Sequence, residues 1–127
     1  MGEREHLLHR LGMRDVEVSD ERLVIEMDNR PDLVNVRGAI QGGLVATLID
    51  IAAGRLAGNA SGAGNNVTTA DMNVHFLAPI IEGPARAEAS VVRAGRRLIV
   101  TSVDVFDAGR DRLAARATLT FAVLDGR

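Results

Sequence analysis

The sequence predicts an α+β fold in which an antiparallel β-sheet wraps around one long central helix. Residues 44–57 are apolar almost all the way round a helical wheel, which marks a helix buried in a core rather than lying on a surface. Beyond residue 66 the chain reads as strands of alternating polarity separated by turns at Gly83, Gly95 and Gly109. A single sheet that is apolar on one face must bury that face, and the helix is the only long apolar element available to cover it.

Length and composition narrow the function classes. The 127 residues read as one domain, spanning 1–127 and long enough for a real core. A net charge of -2 and the lack of a basic run give no reason to expect nucleic acid or an anionic membrane. The absence of cysteine excludes disulfides and thiolate metal sites. The charged start, Met1-Gly-Glu-Arg-Glu-His, is unlike a signal peptide, and no apolar run approaches membrane-spanning length. A cytoplasmic protein is expected.

Taken in order, residues 1–12 hold a short helix over 3–11, with Leu7, Leu8 and Leu11 on one side and Gly12 as its stop. His6 and His9 lie one turn apart on it, but no further His or Cys accompanies them, so surface histidines are expected and no metal. Residues 14–18 and 22–27 form a hairpin around Ser19-Asp20-Glu21, and Pro31 keeps the link to Gly38 irregular. The central helix covers 43–58, and a turn of small and polar residues follows to Asn66. Strands are expected at 67–77, 86–93, 97–106 and 113–123, joined as an antiparallel meander. In the first of them Thr68, Ala70, Met72, Val74 and Phe76 alternate with Thr69, Asp71, Asn73 and His75, which places Thr69 on the face opposite Met72.

The central helix has two unlike faces. Leu44, Val45, Leu48, Ile49, Ile51, Ala52 and Leu56 suit packing on a sheet. Gly43, Ala46, Thr47, Ala53, Gly54 and Ala57 are small, and Asp50 sits among them. A carboxylate there is costly to bury unless paired, hydrogen-bonded or protonated, and small neighbours leave room for something to approach it. The small face lacks cover within the chain. A homodimer is therefore expected, or a homotetramer built from two, with the strand at 67–77 as the edge that pairs with its mate.

The series Asn35-x-x-Gly38-x-x-Gln41-Gly42-Gly43, Leu48-x-Asp50, Thr69-x-Asp71-Met72-Asn73-Val74-x-Phe76-x-x-Pro79 and Gly95-Arg96 resembles the hotdog-fold thioesterases of the phenylacetic-acid-degradation type. The resemblance covers roughly residues 20–124. It implies a hotdog dimer, often paired into a tetramer, that hydrolyses acyl-coenzyme A thioesters without metal or separate cofactor. It also implies roles for Asn35, Gln41, Gly42, Gly43, Asp50 and Thr69. One position departs: the family pattern has His-Gly-Gly where this chain has Gln41, whose amide donates hydrogen bonds but carries no titratable proton.

The residues support that chemistry independently. Thioester hydrolysis develops negative charge on the carbonyl oxygen, and a helix N-terminus offers free N–H groups and partial positive charge. Gly42 and Gly43 let a substrate approach that backbone and form an oxyanion site. Asp50 can act as general base on water or attack the carbonyl itself. From Gly43 to Asp50 is on the order of 10 Å of helix, at ~1.5 Å per residue, too far for one helix to bring both to one carbonyl. Two such helices packed antiparallel across a two-fold axis would bring one subunit's Asp50 near the other's Gly43. Phe76 is expected beside the substrate, and Arg93, Arg96 and Arg97 around the Gly95 turn suit the phosphates of coenzyme A or plain surface charge.

Other classes fare less well. No Gly-x-Ser-x-Gly elbow exists for a serine hydrolase, and Gln41 leaves empty the place of a dehydratase's catalytic His. His75 either lines a pocket or occupies the outer face. The acyl group expected is small to medium or aromatic. The rival reading is a non-catalytic acyl-coenzyme A binding or sensing protein, which would use the same surface.

Overall fold

A computed structural model describes residues 6–62 and 66–124. The described part of the N-terminal helix is a single 3-10 turn, Leu7–Arg10; residues 3–5 lie outside the described residues. His6 Nδ1 caps the turn by accepting from the Leu8 N–H at 3.1 Å, and Gly12, at a φ of +71°, ends the segment. Strands β1 (Met13–Val18) and β2 (Arg22–Met27) follow as the expected hairpin. Ser19 closes it, its Oγ accepting from the N–H groups of Glu21 and Arg22 at 3.2 and 2.9 Å.

Helix α1 (Gly42–Ala60) precedes β3 (Val67–Phe76), β4 (Ala85–Ala94), β5 (Leu98–Asp107) and β6 (Arg112–Val123). Asn59 and Ala60, expected in a turn, continue the helix, and it ends where the Ser61 N–H bonds back to the Ala57 carbonyl at 2.9 Å. The six strands make one sheet in the order β1-β2-β4-β5-β6-β3, every pairing antiparallel, curled around α1 as the sequence predicts. Ala85, Ala87 and Ala89 line the inner face of β4, where α1 makes its heaviest contact. Small side chains there bring the helix close, while Leu23, Ile25 and Met27 on one side and Leu119 and Phe121 on the other pack around it.

Three expectations are corrected. The chain is not a simple meander from β3 to β6: β3 pairs with β6, and β4 pairs with β2 and β5. Residues 77–84 instead cross the ends of β6 and β5. Leu77 and Ala78 N–H donate to the Ala114 carbonyl at 2.8 and 3.1 Å. The buried carboxylate of Asp107 accepts the N–H groups of Ile81, Glu82 and Gly83 at 2.9, 3.1 and 2.7 Å. A side chain on Gly83 would meet Asn29 at 2.7 Å. This connection is tailored to a crossover, not a hairpin.

The second correction concerns β3. The register runs Thr69↔Phe121 and then Asp71↔Thr120, so Ala70 is a bulge and the alternation changes parity. Thr69 therefore shares the inner face with Met72, Val74 and Phe76, which oppose the buried Leu119, Ala117 and Ala115. Third, Ala53 and Ala57 are fully buried, whereas Leu44 and Ile51 are only partly covered. The open side of α1 carries Gly43, Ala46, Thr47, Asp50, Ile51, Gly54 and Arg55.

Candidate active site

The N-terminus of α1 is uncapped. The Gln41 carbonyl accepts the Leu44 and Val45 N–H groups at 2.9 and 3.1 Å, and its side chain makes no capping bond. The N–H groups of Gly42 and Gly43, the first two of the helix, thus lack an intrahelical acceptor. The Gln41 amide is exposed, its Nε2 donating only a long 3.5 Å bond to the Val34 carbonyl. Upstream, Asn35 shapes the approach: its Oδ1 accepts the N–H groups of Arg37 and Ala39 at 2.9 and 3.2 Å, and Gly38 completes the turn at a φ of +83°.

This end of the helix opens on a groove of about 450 Å³ lined by Asn35, Gly42 and Phe76, with the crossover residues Leu77, Ala78 and Ile80 as its apolar wall. The Phe76 ring lies 3.6 Å from where a side chain on Gly42 would begin. A side chain on Gly43 would begin in open space. Both glycines leave the bare backbone reachable.

Asp50 lines a different recess, a cleft of about 570 Å³ that includes Thr69, Gly54, Gly58 and Phe121. Its carboxylate is half-buried, and the Thr69 hydroxyl donates to its Oδ1 at 2.8 Å, the one hydrogen bond to Asp50 among the described residues. The bulge at Ala70 turns Thr69 to that position. Oδ2 remains available to accept from a water or to attack a substrate's carbonyl carbon. The two recesses share no lining residue. Within one chain, Asn35, Gly42 and Phe76 come together, Asp50 and Thr69 come together, and the two sets stay apart.

Arg93, Arg96 and Arg97 line a surface recess of about 440 Å³ around Gly95, and none has an ion-pair partner among the described residues. His75 is exposed and paired in register with Arg116, whose side chain bonds to Asp104 on the outer face, so it does not line the clefts. The described residues hold no cluster of three or more metal ligands, and no helix among them is long and apolar enough to cross a membrane. Sequence reasoning missed Arg55, which lines the Asp50 cleft and is held by Asp15 through bonds of 2.6 and 3.0 Å. The guanidinium holds the Asp15 carboxyl below the usual carboxylate range. A signal was available, because Arg55 is the only charge in α1 besides Asp50.

Residues 37–114 match the family model described as thioesterase superfamily. The chain belongs to the thioesterase superfamily. A relative from Halobacterium salinarum, provisionally named an esterase, is 36% identical over 104 residues, 78% of this chain and 68% of its own length. The solved thioesterase of Haemophilus influenzae superposes with a TM-score of 0.86 at 20% identity, covering 94% of this chain and 82% of its own. A variant of the phenylacetic acid degradation protein of Thermus thermophilus gives 0.79 at 23% identity over 92% and 97%. At those identities the two solved structures speak to the thioesterase fold, and that fold is the hotdog arrangement of sheet around helix seen here.

Proposed function

We propose that the protein hydrolyses an acyl-coenzyme A thioester carrying a small-to-medium or aromatic acyl group. The observation that carries this reading is Asp50: a half-buried carboxylate, held on one oxygen by Thr69 and open on the other, on the helix whose first N–H groups are uncapped. Membership of the thioesterase superfamily and the names of the relatives support it. Asp50 takes a proton from water as the water oxygen bonds to the thioester carbon, or attacks that carbon itself. The resulting oxyanion accepts hydrogen bonds from Gly42 and Gly43. In the first route, collapse of the intermediate breaks the carbon–sulfur bond and coenzyme A leaves with the proton that Asp50 took. In the second, coenzyme A leaves as its thiolate, and water then hydrolyses the mixed anhydride on Asp50, releasing the acid, restoring the carboxylate and supplying the proton to the thiolate. Thr69 acts as a positioning residue, Asn35 shapes the entry turn, Gln41 orients the thioester or water, and Phe76 flanks the acyl–sulfur region. Arg93, Arg96 and Arg97 receive the phosphates of coenzyme A.

Each site is built from two chains. Separation of the two recesses within one chain supports this, as does the position of β3 at an open edge with Met72, Phe76 and Leu77 exposed. A homodimer, alone or paired into a tetramer, would then be the working unit. The test is a hydrolysis screen over short, long, aromatic and hydroxylated acyl-coenzyme A substrates. Turnover of at least one series that disappears in Asp50→Asn is expected. Binding without turnover across the whole screen would leave an acyl-coenzyme A binding or sensing protein instead.

A further inference from the structure

Ile51 and Arg55 line the Asp50 cleft, and they also line a second recess of about 330 Å³. Its other walls are Leu8 of the 3-10 turn, Met13 of β1 and Ile25 of β2. The formal charges at its rim belong to Arg55 and Asp15, bonded to each other through both oxygens, with His9 beside them. The recess is partly open to solvent, and four of its seven lining side chains are apolar. Apolar surface of that kind gains by covering itself with an apolar group in place of water. The charged pair at its mouth is self-satisfied, so an apolar group passing it leaves no charge unpartnered.

We infer that this recess is the pocket for the distal part of the acyl group. Its ligand is a straight-chain acyl tail of medium length that leaves the carbonyl at Asp50, passes Ile51 and ends among Leu8, Met13 and Ile25. The inference rests on the proposed hydrolase reading and adds to it the residues that set chain-length preference. Leu8 and Met13 are the length-setting positions, because both are only partly buried and can change size without breaking the core. Arg55 holds the rim open through its bond to Asp15.

The test separates binding from turnover. In an Asp50→Asn background, which keeps the thioester intact, calorimetry measures the affinities for octanoyl-coenzyme A and acetyl-coenzyme A. Leu8→Trp and, separately, Met13→Trp fill the recess. Each is expected to lower the octanoyl-to-acetyl affinity ratio about tenfold, what roughly two methylenes losing their burial would produce. With Asp50 restored, the ratio of kcat/KM values should fall by a similar factor. Leu8 lies outside the sheet, so its variant tests the pocket even if Met13→Trp does not fold. An unchanged ratio in a folded filler variant overturns the pocket and leaves hydrolysis standing. A changed ratio in a protein that turns over neither thioester keeps the pocket and removes the catalytic reading. Failure of both thioesters to bind overturns both.

Discussion

Along α1 the groove at the N-terminus and the cleft at Asp50 differ in what each could offer a thioester. The groove has the Gly42 end of the uncapped helix and an aromatic wall, with Gly43 and the exposed Gln41 amide next to Gly42 in the chain, but no carboxylate lines it. The cleft offers a carboxylate fixed by a hydroxyl, and its helical backbone is already hydrogen-bonded within α1. Donors without a base would bind a carbonyl and leave it intact. A base without donors would face an oxyanion with nothing to stabilise it. On the proposed reading, that difference means the helix would serve two sites, giving its beginning to one and its middle to the other.

The largest effect expected comes from removing the base. Asp50→Asn keeps the size and accepts the Thr69 hydroxyl, yet loses the group that takes the proton. Turnover should fall roughly 10²- to 10⁴-fold, the range for a positioned general base. Circular dichroism and substrate affinity should stay as in the wild type. A variant retaining more than a tenth of the wild-type rate would remove Asp50 from the chemistry and collapse the contrast between the two recesses.

The groove should respond less steeply. Gln41→Ala removes one donor and leaves the two glycine N–H groups in place, so a loss of roughly 10- to 1000-fold is expected. Gln41→His should stay active if donation is all the position supplies, since a neutral imidazole also donates one hydrogen bond. An unchanged rate in Gln41→Ala would make this exposed side chain a structural remnant.

Much of this was legible beforehand, and the parts that were not share a cause. The bounds of β2 match the sequence reading, and Gln41-Gly42-Gly43 sits at the helix start, because period, turn residues and breakers act locally. Strand partners are not local. Turn residues at Glu82-Gly83-Pro84 say that the chain changes direction, but Asp107, more than twenty residues further on, decides that it crosses over. The bulge at Ala70 was equally hidden, because Thr68, Thr69 and Ala70 are all short and carry no polarity contrast to reveal a parity change. Burial of Ala53 and Ala57 likewise depends on how far the sheet curls, which no helical wheel contains. The Arg55–Asp15 pair spans forty positions and was invisible for the same reason.

Complementation tests the contrast directly. Gly43→Val crowds the approach to the uncapped N–H groups and Asp50→Asn removes the base, and each homodimer should be inactive. Random subunit exchange in an equal mixture makes half of the dimers mixed, and in each mixed dimer one site inherits both lesions and the other neither. About a quarter of the wild-type activity should therefore return. No recovery, with exchange proven by mass spectrometry of tagged subunits, would put both halves of the site back in one chain. Light scattering that shows a monomer at micromolar concentration would do the same.

The smallest effect expected tests whether the two recesses are also mechanically distinct. The crossover that walls the groove hangs on Asp107, whereas the Asp50 cleft takes no residue from it. Burial pushes the Asp107 carboxyl up, but the N–H groups of Ile81, Gly83 and Glu82 outweigh it and hold the group below its ordinary value of 3.8. A group lowered on folding contributes stability that is complete above its unfolded value and is lost as pH falls through the folded one. Asp107→Asn turns an amide N–H₂ toward backbone donors, so it should cost about 2 kcal/mol near neutral pH. The gap from wild type should shrink below about pH 4, as the wild-type carboxylate takes up its proton. Amide exchange should accelerate at Ile81, Glu82 and Gly83 and stay unchanged in the middle of α1. Equal acceleration around Asp50 would show that the groove and the cleft move as one body, and the division between them would then be one of chemistry alone.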